Sequence, residues 1–77
     1  KKLSQNFLID GNIIRNIVKE ADIQPGDQVL EIGPGPGSMT EEILSKGAYV
    51  VAVETDRALA AALGRLDPSG QNLKVIV

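Results

Sequence analysis

The segment Gly33-Pro34-Gly35-Pro36-Gly37 follows the apolar run Val29-Leu30-Glu31-Ile32 and precedes a helical pattern, the place of a loop that cradles a nucleotide. The dinucleotide fingerprint G-x-G-x-x-G fails here. Counted from Gly33, the third glycine position holds Ser38, and counted from Gly35 it holds Thr40. Pro34 and Pro36 also remove two backbone N–H donors that a loop built to grip a pyrophosphate would keep. A ligand without phosphates needs only a close backbone approach and one carboxylate near a helix N-terminus. S-adenosylmethionine is such a ligand, and a nicotinamide-dependent dehydrogenase is correspondingly disfavoured.

Two acids belong to the same constellation. Glu54 ends the second apolar run, 21 residues after Gly33, where a carboxylate accepts both ribose hydroxyls of an adenosine. Glu31 lies inside the first apolar run, and a carboxylate there is costly unless paired. Two roles stand open for it: accepting loop N–H groups, the structural role, or reaching the ammonium of a cofactor's amino-acid end, directly or through water. With no Cys and no His, the sequence excludes a disulfide framework, a Cys/His zinc site, a thiol nucleophile and a histidine base. Any chemistry falls to carboxylates, amides, backbone or a cofactor.

The elements that must position these groups are legible from periodicity. Ile13, Ile14, Ile17, Val18 and Ala21 form the stripe of an amphipathic helix over 11–22, with Asp10 as N-cap and Pro25-Gly26-Asp27 beyond its end. The runs 29–32 and 48–53 read as strands covered on both faces. Between them, Ser38 to Lys46 reads as a helix with Met39, Ile43 and Leu44 on one side and Gly47 as its stop. Asp56 caps a further helix carrying Leu59, Leu63 and Leu66, which Asp67-Pro68-Ser69-Gly70 closes, and Leu73 to Val77 is a third strand. Alternation of this kind predicts parallel βαβ units, an α/β class.

The chain has 77 residues, 43% hydrophobic and 23% charged, with a net charge of −2, and holds at most one small domain. Charge is uneven. Lys1, Lys2, Arg15 and Lys19 outweigh Asp10 and Glu20 in the first twenty residues, so a basic arm precedes an acidic body. On charge alone that arm is a solvated terminus. No apolar run approaches a membrane span and no N-terminal signal pattern is present, so the expectation is a cytoplasmic protein without a membrane or metal partner. Val77 falls inside the third strand, and a doubly wound sheet needs a fourth strand beside the first. The expectation is therefore an N-terminal portion of a longer protein, with the first strand as a bare edge.

Three segments together resemble a known family: Lys2-Leu3-Ser4-Gln5-Asn6-Phe7-Leu8-Ile9-Asp10, Val29 to Gly35, and Val51-Ala52-Val53-Glu54-Thr55-Asp56. They are similar to the ribosomal RNA adenine N6-dimethyltransferases, a family of KsgA-type small-subunit enzymes, Erm-type resistance methyltransferases and mitochondrial transcription factor relatives. The Gly-Pro-Gly loop is shared by several methyltransferase groups, whereas Gln-Asn-Phe-Leu-x-Asp is much more specific. The acidic body is most like the KsgA type. Ser4 departs from the family's usual glycine.

The resemblance implies a Rossmann-like S-adenosylmethionine-dependent methyltransferase fold, of which this chain carries the N-terminal helix and a βαβαβ portion. Residues 1–10 would be a basic arm and cofactor lid, and 11–77 the first part of an incomplete domain. It further implies that Asn6 and Leu8 form the lid, that Gly33 and Gly35 line the methionine end of the cofactor, and that Glu54 holds the ribose. Phe7 is expected to be a core anchor. The implied activity is dimethylation of adenine in small-subunit ribosomal RNA, with immature small subunits as partners. The family's adenine-contacting acid and catalytic motif fall beyond Val77, so no catalytic residue is expected in this chain. The alternatives are a methyltransferase for another substrate and a non-catalytic assembly or transcription factor of the same family.

Overall fold

The computed structural model describes residues 11–77. The expected cap Asp10, the expected lid residues Asn6 and Leu8, Lys1, Lys2 and Phe7 lie outside the described residues. The element order is α1 (Gly11–Glu20), β1 (Gln28–Ile32), α2 (Ser38–Ser45), β2 (Tyr49–Val53), α3 (Arg57–Gly64) and β3 (Leu73–Ile76). All three strands are parallel in the order β1-β2-β3, with Val29 opposite Val50, Glu31 opposite Ala52, and Ala52 opposite Val75. The alternating α/β class and the edge position of β1 follow the sequence expectation.

Burial explains which side of the sheet the helices take. Val50, Ala52 and Leu73 share one face, and there they form a core with Val18 of α1, Ile43 of α2, Leu63 of α3 and Ala48. Leu63 is only 1% exposed, and burying a side chain of that size contributes about 1.5–3 kcal/mol. The other face is bare. Leu30 is 66% and Ile32 is 70% exposed, and Tyr49 and Ile76 on the same face are also exposed. Among the described residues the second face of β1 is not covered, unlike the expectation of cover on both faces, because α1, α2 and α3 all contribute to the one core.

Helix boundaries follow local chemistry. α1 stops at Glu20, before the expected end, and Asp22 adopts a left-handed conformation at φ 56° that breaks the spiral. Its buried stripe is narrower than the periodicity implies. Only Ile14 and Val18 are buried, whereas Ile17 and Ala21 are exposed, because α1 meets the rest of the fold mainly along a seam with α2. Asp56 caps α3 as expected, its carboxylate accepting the Leu59 N–H at 3.0 Å. After α3, Asp67 accepts the Asn72 and Leu73 N–H groups at 2.7 and 3.1 Å and so sets the entry into β3.

Candidate functional site

Parallel strands bring their carboxyl ends to one edge of a sheet, and here β1 and β2 deliver Glu31, the glycine loop and Glu54 to that edge. The loop is tied down throughout. The Gly33 N–H donates to the Val53 carbonyl at 2.8 Å, the Gly35 N–H to Glu54 Oε1 at 3.0 Å, and the Gly37 N–H to the Pro34 carbonyl at 3.2 Å. Pro34 and Pro36 have no N–H to offer. Between residues 33 and 37, then, every backbone donor already has a protein acceptor, and none is left over for a phosphate.

Room for a ligand comes from the glycines themselves. Gly33 and Gly35 both have φ 61°, and a Cβ added to either would meet nothing within 4 Å. Gly33 is exposed and borders open space, whereas Gly35 is buried and its clearance leaves room only for a side chain. Gly37 has a different reason to be glycine. A Cβ there would lie 2.7 Å from Leu63 Cδ2 and 3.0 Å from Leu66 Cδ1, so this residue lets α3 close on the start of α2. Sequence reasoning grouped the three glycines in one loop; the structure separates a packing glycine, Gly37, from an exposed one, Gly33, and from Gly35, buried with its N–H on Glu54.

Glu54 is buried, and each of its oxygens takes a backbone N–H at 3.0 Å: Gly35 on Oε1 and Asp56 on Oε2. Its own N–H donates to the Ile76 carbonyl at 2.8 Å, continuing the β2–β3 ladder. This acid joins the loop after β1 to the turn after β2. Each oxygen retains lone-pair capacity for a further donor.

Glu31 is half-buried and accepts the hydroxyl of Thr40, a residue with no exposed surface on α2. Desolvation by burial raises its pKa above the ordinary carboxylate value, and the Thr40 hydrogen bond acts in the opposite direction. The structural role of accepting loop N–H groups is not the one Glu31 takes: the Gly35 N–H goes to Glu54, and Glu31 takes a side-chain hydroxyl. Thr40 was missed in the sequence. The available signal was a polar residue three and four positions before Ile43 and Leu44, inside an apolar stripe, matched to a lone acid inside an apolar strand.

Of the five residues expected to bind cofactor, the structure brings Gly33, Gly35 and Glu54 together, while Asn6 and Leu8 lie outside the described residues. The polar groups suit an adenosyl ligand without phosphates: open space beside Gly33, two carboxylates as acceptors, and no spare N–H between residues 33 and 37. Among the described residues no group of three or more His, Cys, Asp and Glu is placed to hold a metal, and no helix is long and apolar enough to cross a membrane.

Comparison with known proteins agrees with this geometry. The family model described as "Ribosomal RNA adenine dimethylase" matches residues 1–77. A curated relative, ribosomal RNA small subunit methyltransferase A of Protochlamydia amoebophila, is 59% identical over 75 residues, covering 97% of this chain and 26% of the relative. The chain thus spans about a quarter of that relative's length. Among solved structures, the 23S rRNA methyltransferase ErmE superposes with a TM-score of 0.74 at 33% identity, over 87% of this chain and 28% of that one. A dimethyladenosine transferase from Plasmodium falciparum gives 0.75 at 28% identity, over 86% and 25%. The βαβαβ arrangement with its leading helix is the Rossmann-like methyltransferase fold of these neighbours.

Proposed function

Because the chain belongs to the ribosomal RNA adenine dimethylase family, we propose that it is the cofactor-binding N-terminal portion of an S-adenosylmethionine-dependent enzyme that dimethylates the N6 amine of adenine in small-subunit ribosomal RNA. The observation that carries the reading is the loop itself, with its N–H groups committed to protein acceptors, open space beside Gly33, and Glu54 fastened to the Gly35 N–H. Such a site offers acceptors to ribose hydroxyls and an ammonium, and its loop from 33 to 37 offers no N–H to a pyrophosphate.

In this reading the cofactor supplies the activated methyl group, and the chain's part is positioning. Glu54 holds the ribose while its bonds to the Gly35 and Asp56 N–H groups keep it from swinging away. Gly33 and Gly35 admit the methionine end, and Asn6 and Leu8 cover it as a lid. Residues 1–10 form a basic arm that acts on RNA, and 11–77 form the first part of the domain. The groups that bind the target adenine lie outside these 77 residues. The partner is the immature small ribosomal subunit, and the setting is the cytoplasm, where ribosomes are assembled.

The test is methylation by the whole protein of immature small-subunit particles, using a cofactor labelled in its methyl group. Label recovered as N6-dimethyladenosine is the expected result. Cofactor binding without transfer to RNA would point to the non-catalytic member of the family or to a different substrate.

A further inference from the structure

Thr40 is a polar side chain with 0% exposure on a helix whose neighbouring inward residue, Ile43, is core. A buried hydroxyl is costly unless bonded, and this one donates to Glu31 Oε1. The bond does more than satisfy Thr40. A carboxylate is planar, so fixing one oxygen against a rigid helix also fixes where the other points. That second Glu31 oxygen has no hydrogen-bond partner among the described residues, and because no buried side-chain oxygen is unpartnered, it reaches solvent.

The place of this oxygen matters. Glu31 precedes Gly33 by two residues, at the strand end that feeds the loop. Glu54, by contrast, has both oxygens engaged by backbone. Of the two acids at this edge, Glu31 is the one with an oxygen wholly free for a ligand, and its affinity as an ionised group is for a cation or a strong donor.

We infer that Thr40 is a positioning residue: by holding one oxygen of Glu31 it aims the other at the ammonium of the cofactor's amino-acid end. The inference rests on the proposed cofactor reading and adds to it one residue, Thr40, which acts at the amino-acid end through Glu31. Thr40 itself touches no ligand; its effect passes entirely through Glu31.

Two probes separate this role from a merely structural one. S-adenosylhomocysteine and 5′-methylthioadenosine share the adenosine and thioether but only the first carries the amino-acid end. By calorimetry on the whole protein, Thr40→Val should weaken S-adenosylhomocysteine about tenfold, the scale of a lost charged hydrogen bond, and leave 5′-methylthioadenosine unchanged. Thr40→Ser, which keeps the hydroxyl, should restore wild-type binding of both. Glu31→Gln should show the same selective loss, and adding Thr40→Val to it should cost nothing more. If Thr40→Val fails to fold, the Ser and Gln variants carry the comparison. Equal weakening of both probes, or no selective loss in Glu31→Gln, would overturn the inference while leaving the cofactor reading intact. A wild-type protein that binds neither probe would overturn both.

Discussion

Glu31 and Glu54 close neighbouring parallel strands, yet the fold uses them in opposite ways. Glu54 is buried and spends both oxygens on backbone N–H groups, joining the glycine loop to the turn that starts α3. Glu31 is half-buried and spends one oxygen on a side chain, leaving the other open. An acid that accepts backbone donors is held by groups that cannot leave, and it stiffens whatever carries them. The difference teaches that a strand-end acid can serve as part of the frame or as a group held out from it, and that the chain next to each acid decides which.

The largest expected effect comes from breaking the frame. Glu54→Ala removes the proposed ribose acceptor and strands two N–H groups at once, so cofactor affinity should fall by about 1.5–3 kcal/mol in calorimetry on the whole protein. Melting temperature should fall with it. Glu54→Gln should lose less, because its amide oxygen still accepts one of the two. If neither affinity nor melting temperature moves in the Ala variant, Glu54 is not the tie between loop and turn.

A smaller effect sharpens the same point from the loop side. Gly35 sits at φ 61°, so Gly35→Ala introduces left-handed strain of about 1–2 kcal/mol and pulls its N–H off Glu54. Combined with Glu54→Ala, the two losses should not add, since both remove one contact; the shortfall in a double-mutant cycle should be at least about 0.5 kcal/mol. Strict additivity in denaturant titrations would mean that loop and acid are independent.

Much of this frame was legible in the sequence, and the parts that were not share a cause. Periodicity located the six elements, and the end of the second apolar run located Glu54, because both depend on residues close in sequence. What Glu54 binds was not legible, since its partner Gly35 is 19 residues away and offers only backbone. Thr40 was hidden for the same reason, its meaning depending on Glu31 across the β1–α2 packing. What covers Leu30 and Ile32 was not legible either, because an apolar run records that a strand face will be covered and not by what, and no described element covers them.

The smallest effect concerns pH and distinguishes the two acids directly. Burial holds the Glu31 carboxyl above its ordinary value, so folding favours its protonated form. That contribution to stability is fully present below the unfolded-state pKa and is lost as pH rises through the raised folded value. Glu31→Gln, which cannot ionise, should therefore be relatively less destabilised, or even stabilised, at neutral pH compared with acid pH. Thermal melts of wild type and variant across the carboxylate range check this. A variant whose deficit grows as pH rises would show that ionised Glu31 is favoured by the fold.

In the proposed reading, the loop from 33 to 37, with no free N–H and an acid on either side, holds an adenosyl cofactor in preference to a dinucleotide. The most direct measurement is calorimetric titration of the whole protein with S-adenosylhomocysteine and, separately, with nicotinamide adenine dinucleotide. Saturable binding of the first and none of the second is the predicted result. Dinucleotide binding as tight as that of S-adenosylhomocysteine would contradict the account.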